Sequence, residues 1–317
     1  MRAFKHRKKL SIQLKKEYLA GYLFASPAII GFVVLTLYPM FSSLFFSFNK
    51  IDLMGNGKWV GFENYIGMFT DPDADFRKSI TVTLIYAAVN VILIILFCLL
   101  VALLLNRNFR GRNFLRAVFF LPSVIPMLAT AIIWKVILQN QAQGGLLNQM
   151  LMGMGIQTKE WLTDTKLIFV SLLLMSLWTC GGTIVVFLAT LQDVSEEQIE
   201  AVEIDGGNAW HKFKVVTFPT IEPVIFFQLL ICMMTSVQIF TQSVALSPNG
   251  APDRMTYFIN VMIYDHAFVQ IGTRGLACAE AWAVFVIIMI LTGLLFLLHN
   301  RISPESDNIP RRKRVSR

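Results

Sequence analysis

Charged residues are scarce in this sequence. Asp, Glu, Lys and Arg make up 15% of the 317 residues, whereas hydrophobic residues make up 55%. Soluble domains carry about 25% charged residues, so the composition excludes an ordinary soluble protein and indicates an integral membrane protein. The net charge of +8 does not indicate nucleic-acid binding, because the basic residues fall in tails and one-sided loops. We therefore expect the lipid bilayer, and no nucleic acid, as a partner.

The sequence also lacks the motifs of common catalytic and metal sites. It contains no Gly-x-x-x-x-Gly-Lys-Ser/Thr loop, so we expect no ATP site of that kind in this chain. The motifs Gly-x-Ser-x-Gly, His-Glu-x-x-His and Cys-x-x-Cys are absent, and the four histidines are scattered. Each cysteine falls in an apolar run, which predicts buried thiols: these are Cys98, Cys180, Cys232 and Cys278. We therefore expect a non-catalytic chain with no metal site.

Six long apolar runs dominate the chain. About 20 apolar residues are needed to cross roughly 30 Å of hydrocarbon, and each run reaches that length. We place the spans near residues 18–48, 80–105, 114–138, 167–191, 224–246 and 277–299. The first run is about twice as long as a signal-peptide core, so we predict a retained span. The sequence thus predicts an all-α integral membrane protein with a basic segment over residues 1–17, six spans in residues 18–300, and a disordered basic tail over residues 301–317.

The distribution of Lys and Arg predicts the orientation of the spans. With the N-terminus inside, the inner segments hold seven, four, two and six of these residues, 19 in all. The outer segments hold four, two and two, or eight, and Lys135 is left within the third run. Because cytoplasmic loops are enriched in basic residues, both termini are predicted to be cytoplasmic. The loop between the fourth and fifth spans, residues 195–220, is then cytoplasmic too.

Helix-capping signals predict the structure of this loop. Ser195 and Gln198 fit a capping box that starts one short helix. Gly206 tolerates the positive φ of a helix C-cap, and Asn208 is suited to cap the helix that follows. The second helix is predicted to be short and to end at Pro219. A helix, a break and a helix on a membrane surface form a segment suited to docking a partner.

Few charged residues fall within the spans. Lys135 lies near the outer end of the third run, beside Trp134, and is predicted to extend to the membrane interface. Glu280 lies near the outer start of the sixth run, where it either has an interfacial or paired role or lines a cavity. An ion-coupled carrier would be expected to carry more carboxylates within the membrane, so their scarcity disfavours that class.

The stretch from Glu200 to Pro219 resembles the EAA loop of permease subunits of binding-protein-dependent ATP-binding-cassette importers. The family pattern combines Glu-Ala-Ala, an Asp-Gly-Ala three residues further on, then a Phe and a Pro. The residues that fill these places are Glu200, Ala201, Asp205, Gly206, Phe213 and Pro219. The sequence departs from the pattern at Val202 and Gly207, where the family commonly has Ala.

Shorter segments are similar to the carbohydrate-uptake, MalF/UgpA-like group of these permeases. They occupy residues 22–28, 37–39, 60–65, 119–122, 187–192 and 247–252. The resemblance runs from about residue 18 to residue 300. It implies a chain in the cytoplasmic membrane of a bacterium that pairs with a second, similar permease. It further implies an extracytoplasmic substrate-binding protein and two cytoplasmic ATPase subunits, which would hold ATP and Mg²⁺.

In this family the loop acts as the coupling helix, which fits a cleft on one ATPase. The resemblance therefore implies an ATPase-coupling role for Glu200, Ala201, Asp205, Gly206, Gly207, Phe213 and Pro219. Carboxylates could meet basic groups of the partner, and the small residues would allow close approach.

Polar and aromatic side chains in the fourth and fifth runs are candidates to line a sugar pathway. The candidates are Trp178, Gly182, Gln238, Phe240, Thr241 and Gln242. Gln238 and Gln242 are four residues apart and are predicted to share one helix face. The alternative is that such side chains bind neighbouring helices together.

The leading hypothesis is thus a permease subunit of an ATP-driven sugar importer. A second hypothesis keeps this architecture and changes the cargo to glycerol phosphate, a polyamine or another small solute. A third is an ion-coupled secondary carrier that acts alone.

Overall fold

The computed structural model describes residues 12–51, 57–71, 75–247 and 250–302, and most of this part of the chain is helical. The helices in chain order are α1 (Ile12–Phe32), α2 (Tyr38–Ser47), α3 (Glu63–Thr70), α4 (Phe76–Asn106), α5 (Arg112–Phe120), α6 (Met127–Leu138), α7 (Leu146–Gly153), α8 (Leu167–Thr179), α9 (Gly181–Gln192), α10 (Glu196–Ile204), α11 (Ala209–Lys212), α12 (Phe218–Val237), α13 (Thr241–Leu246), α14 (Ile259–Tyr264) and α15 (Arg274–Ile302). Strands β1 (Asn49–Ile51) and β2 (Gly57–Trp59) form a short antiparallel hairpin. The predictions for the two terminal segments fall mainly on residues 1–11 and 303–317, outside the described residues.

Four helices in the described residues are long and apolar enough to cross a membrane. They are Lys16–Ser47, Phe76–Asn106, Ala209–Val237 and Arg274–Arg301. Two bent pairs of helices pass the same test, which gives up to six spans if each pair counts as one. The first, second and sixth predicted spans agree with these helices to within a few residues. Short helices α3 and α7 lie in two of the predicted outer segments.

The third and fourth runs are broken rather than straight. The axes of α5 and α6 differ by 104°, and the break is at Pro126. A residue before proline is driven out of the helical region, and Ile125 has φ −74° and ψ 131°.

The pair α8 and α9 is bent by 46° at Cys180. There Gly181 lies so close to the chain of the third run that a β-carbon would overlap the carbonyl oxygen of Phe119.

The fifth span starts earlier than predicted. The prediction of a second short helix that ends at Pro219 is wrong, because the chain stays helical from Ala209 to Val237. A π-helical turn, Phe213–Thr217, lies just before the proline, and the amide of Phe218 donates to the carbonyl of Phe213. Wider π-helical turns accommodate the missing N–H and the bulky ring of a proline.

The fifth span also ends earlier than predicted. Its helix stops at Val237, Gln238 forms the cap, and Phe240 adopts φ −146° and ψ −67° before α13 begins. The predicted continuation to Leu246 is therefore wrong. The shared helix face of Gln238 and Gln242 is wrong for the same reason, because the two residues lie on opposite sides of this break.

Helix α4 is the central helix of the bundle. It contributes buried residues to two hydrophobic clusters, one around Tyr86 and Phe258 and the other around Cys98 and Phe187. The first cluster includes residues from α8, α14 and α15, and the second includes residues from α9 and α12. Van der Waals packing of these side chains holds the broken spans against the straight helix α4, because helices in a bilayer associate through close packing rather than through the hydrophobic effect.

The first span is the least buried of the long helices. None of its most apolar stretch is buried within this chain, and Phe24 and Leu35 are largely exposed. Its C-terminal end is fixed, since Ser47 Oγ and Tyr65 Oη are 2.7 Å apart and Asn64 Nδ2 donates to the carbonyl oxygen of Ser47. Large exposed apolar surfaces of this kind are covered by lipid or by another membrane chain.

Glu280 is buried and paired. Its carboxylate oxygens lie 2.8 and 3.0 Å from Nδ1 of His266, which belongs to the π-helical turn after α14. The interaction ties this outer segment to α15. It agrees with the paired role, one of the two roles predicted for Glu280.

Candidate functional site

The loop between the fourth and fifth spans is a capped helical turn. Ser195 Oγ accepts from the amide of Gln198, and Asn208 Oδ1 accepts from the amide of His211, so both helix starts are capped as predicted. At the end of α10, Gly206 has φ 79° and Gly207 donates to the carbonyl of Val202 at 2.8 Å. This is a Schellman motif, in which the left-handed residue is usually glycine.

The residues predicted to couple to an ATPase fall into two groups. Those on the outer surface of the loop are exposed: Glu200, Ala201, Asp205, Gly206 and Pro219. The other two are less accessible: Gly207 lies against Val202, and Phe213 stacks on Trp210 with ring centroids 5.6 Å apart. An ion pair between Lys212 and Glu203 joins the two helices of the loop. The exposed residues are therefore accessible to a partner, on a loop whose two helices are held together by this ion pair.

Two large apolar side chains on this surface were not predicted from the sequence. Ile204 is 86% exposed and Trp210 is 70% exposed. Exposed apolar residues of this size beside carboxylates are typical of protein interfaces, where Trp contributes strongly to binding. The signal available in the sequence was the placement of large apolar residues directly beside the glycine break, among polar residues.

A second feature is a polar cavity of about 270 Å³ within the bundle, which we call the central cavity. It lies where the breaks of the third, fourth and fifth spans meet α4. Apolar side chains such as Ile94 and Ile231 form part of the wall. The hydrogen-bonding side chains in its lining are Tyr86, Asn90, Ser176, Thr179, Thr183, Thr235, Ser236 and Gln242.

Two hydrogen bonds connect the spans around the central cavity. Tyr86 Oη and Ser176 Oγ are 2.8 Å apart, and they join α4 to α8. Asn90 Nδ2 donates to Ser236 Oγ at 2.9 Å, and this bond joins α4 to α12. Asn90 Oδ1 is buried without a hydrogen-bond partner in the described structure. A buried amide oxygen without a partner costs about 1–3 kcal/mol, so this group favours any state that supplies a donor.

Asn90 was not a candidate from the sequence, because the second run reads as uniformly apolar. The available signal was the cost of a side-chain amide in hydrocarbon, which makes an Asn in the middle of a span a functional candidate. Thr179 and Thr183 were also not predicted to line a cavity together. They line the central cavity from either side of the break at Cys180.

The predicted pathway residues are dispersed in the structure. Gln242 lines the central cavity, whereas Gln238 and Gly182 are exposed elsewhere. Trp178 packs against Trp134, with ring centroids 6.1 Å apart, beside a separate apolar cavity of about 260 Å³. The other two lie at the break in the fifth span: Phe240, which contacts Tyr264, and Thr241, which is half-buried.

Comparison with known proteins identifies the family. Residues 94–304 match the family described as "Binding-protein-dependent transport system inner membrane component". The chain belongs to this family. It is therefore an inner membrane component of a binding-protein-dependent transport system.

Individual permeases are similar over nearly the whole chain. The "Probable ABC transporter permease protein YesP" of Bacillus subtilis is 35% identical over 91% of this chain and 93% of that protein. The "Probable starch degradation products transport system permease protein AmyD" of Thermoanaerobacterium thermosulfurigenes is 29% identical over 85% of this chain and 89% of that protein.

The fold is shared with a bacterial ABC transporter "involved in the import of the acidic polysaccharide alginate". The TM-score is 0.81 at 21% sequence identity, and the match covers 92% of this chain and 98% of that chain. The family match from residue 94 onward includes the capped loop and most of the residues around the central cavity. It leaves out the first span and the outer hairpin.

Proposed function

We propose that this permease forms half of the translocation pathway of an ATP-driven sugar importer. In this proposal a binding protein delivers the sugar from outside, a second permease completes the pathway, and two separate subunits hydrolyse ATP. The bundle has six spans, both termini are cytoplasmic, and the loop of residues 195–220 couples it to one ATPase. The observation that carries the proposal is the continuous helix Ala209–Val237, which begins in the exposed loop and ends at the central cavity.

The lining of the central cavity supports a neutral cargo with many hydroxyl groups. Hydroxyl and amide side chains face it, and no Asp, Glu, Lys, Arg or His is among the described residues that line it. A polyamine or glycerol phosphate would need opposite charges to offset the loss of hydration, whereas a sugar needs hydrogen-bond partners. The volume is near the lower end of small-molecule sites, about 300–1,000 Å³, which suits a short segment of a sugar chain. The name of the relative AmyD, with starch degradation products as cargo, supports the same class.

The surface of the loop supports a protein partner at its exposed end. Ile204 and Trp210 supply apolar contact area, and Glu200 and Asp205 supply carboxylates. Such a surface fits a cleft with an apolar floor and a basic rim. We propose that this cleft belongs to the ATPase subunit.

The cargo is tested with the complete transporter, purified with its partner subunits and reconstituted in proteoliposomes. We expect ATP-driven uptake of labelled neutral oligosaccharides in the presence of the binding protein. Spermidine and glycerol 3-phosphate serve as the two alternative cargoes, and uptake of either in place of sugar would overturn the sugar assignment. Flux driven by a proton or sodium gradient through this chain alone would instead indicate a secondary carrier.

The coupling role is tested with Gly206→Val. A β-branched residue is strongly disfavoured at the positive φ of this position, so the loop must change shape. We expect loss of uptake and of ATPase stimulation, with sugar binding by the binding protein unchanged. The matched control is Gly67→Val in α3, because Gly67 has no positive φ and an added β-carbon meets open space. Normal uptake in Gly206→Val would contradict the coupling assignment.

A further inference from the structure

A second and larger cavity lies between the coupling loop and the loop that follows the second span. We call it the loop cavity, and its volume is about 780 Å³. One wall is the end of α4 and the start of α5, with Arg107 and Arg112. The opposite wall is formed by α10, α11 and the π-helical turn, and it includes Lys212. Three cationic side chains therefore face one cavity, and Glu196 is the carboxylate in its lining.

Among the described residues, no carboxylate lies within ion-pair distance of Arg107 or Arg112. Arg112 donates to the side-chain oxygen of Asn108, and Lys212 is paired with Glu203. The cavity thus keeps an excess of positive charge, even when Glu196 is counted. An anion is the complementary ligand.

The backbone adds to the positive potential of the loop cavity. Helix α5 has nine residues and begins at Arg112, and its N-cap is Gly111, which provides no side-chain cap. The first turn of a helix leaves amide groups free to donate, and the helix dipole is positive there. Phosphate groups bind at such positions, most strongly where arginine side chains are adjacent.

The loop cavity has an apolar side as well. Leu103 and Leu191 line it from the ends of the second and fourth spans, and Phe213 lines it from the π-helical turn. Along α5, the neighbouring Phe114 is largely exposed, as a side chain in contact with lipid would be. A ligand that fits this lining has an anionic head and an apolar body.

We propose that the loop cavity binds the headgroup of an anionic phospholipid of the inner leaflet. The phosphate lies between Arg107 and Arg112 at the start of α5, and the acyl chains leave along the apolar side. Basic pockets between spans on the cytoplasmic side of membrane proteins bind such headgroups. The inference rests on the proposed cytoplasmic position of the loop and does not depend on the cargo.

The lipid would connect the two walls of the cavity. Arg107 and Arg112 belong to the segment after the second span, whereas Lys212 belongs to the coupling loop. A headgroup held by both walls would stabilise the loop in the position seen here. An acidic segment of the ATPase is the competing occupant, but the apolar side of the lining favours a lipid.

The test measures phosphatidylglycerol bound to the intact transporter. The complex is purified in mild detergent and titrated with phosphatidylglycerol, and bound lipids are counted by native mass spectrometry. Phosphatidylcholine is the neutral comparison lipid. Removal of each arginine should weaken the binding of one lipid about fivefold. The double variant Arg107→Gln/Arg112→Gln should therefore show both losses together. The variant Arg107→Lys/Arg112→Lys keeps the charge and should retain most of the binding, which separates loss of the site from misfolding.

Arg110→Gln is the matched control, because Arg110 is exposed in the same loop and does not line the cavity. We expect it to leave the binding of this lipid unchanged. An equal loss in Arg110→Gln would indicate diffuse attraction to basic residues and would overturn the proposal. So would unchanged binding in the double glutamine variant, or displacement of the lipid by millimolar inorganic phosphate. Lipid bound to the free permease but absent from the complete transporter would assign the cavity to the ATPase instead.

Discussion

Val202 and Gly207 are fitted to each other across the break in the loop of residues 195–220. A β-carbon placed on Gly207 would lie 2.5 Å from Cγ1 of Val202 and 2.8 Å from its carbonyl oxygen. These are the two positions at which the loop departs from the importer pattern, which has Ala at both. The larger side chain at 202 and the missing side chain at 207 therefore compensate for each other. The side chain of Val202 thus occupies space that a side chain at position 207 would need.

This compensation predicts the outcome of a double-mutant cycle. Gly207→Ala alone forces Val202 to move and should open the angle between α10 and α11, which lowers ATP-driven uptake severalfold. Val202→Ala removes Cγ1 and leaves the contact with the carbonyl oxygen at 2.8 Å, so the double variant Val202→Ala/Gly207→Ala should recover part of the lost activity. The coupling between close residues is expected to be about 0.5–3 kcal/mol, measured from uptake rates and from thermal unfolding. Additive effects of the two substitutions would contradict the compensation.

The hydrogen bond between Asn90 and Ser236 predicts a transport phenotype. Asn90→Leu removes the amide that joins α4 to α12 and fills its place with an apolar side chain of similar size. We expect about tenfold slower uptake at unchanged assembly, because one cavity hydrogen bond is typically equivalent to about 0.5–1.5 kcal/mol. Thr190→Val is the control, since the Thr190 hydroxyl donates to the carbonyl of Val186 within its own helix. Normal uptake by Asn90→Leu would exclude Asn90 from the pathway.

Helix α15 provides a matched pair of glycines for a stability measurement. Gly275 packs against strand β1, where a β-carbon would overlap the carbonyl oxygen of Asn49, whereas Gly293 has open space around it. Gly275→Ala should lower the free energy of unfolding by about 1–3 kcal/mol, the usual cost of overpacking. Gly293→Ala should leave it unchanged or slightly higher. Thermal unfolding in detergent compares the two, and equal effects would contradict the close packing.

Asp164 predicts a pH dependence at the start of α8. Its Oδ1 accepts from the amides of Leu167 and Lys166, and these bonds hold the pKa of the carboxyl group below its usual value. The resulting stabilisation is complete above the ordinary aspartate pKa of about 3.9 and is lost as the pH falls through the lowered value. Asp164→Ala should therefore lower the unfolding temperature at neutral pH, and the difference from wild type should shrink in acid. A difference from wild type that persisted unchanged in acid would contradict this role of Asp164.

Local signals in the sequence were sufficient for the loop and for the straight spans. Ser195, Gly206 and Asn208 adopt their predicted capping roles because capping depends on residues within one turn of the helix end. The second and sixth spans were predicted to within a few residues because their apolar runs have no interior proline.

The helix breaks were harder to predict because they depend on contacts between spans. The fourth run looks continuous in sequence, yet it bends at Cys180, where Gly181 meets the backbone of Phe119. Pro219 indicated a helix end, but the helix continues beyond it through a π-helical turn. The central cavity forms where such breaks meet Asn90, so its residues could not be collected from any single run.

The helix from Ala209 to Val237 acts as a lever. Its 29 residues span about 43 Å at a rise of 1.5 Å per residue. A rigid tilt of about 5° around the midpoint would therefore move the two ends by about 2 Å in opposite directions. Trp210 is at one end of this lever and Ser236 is at the other. Under the proposed coupling, such a tilt would displace Ser236 by a distance comparable with the 2.9 Å length of the Asn90–Ser236 hydrogen bond.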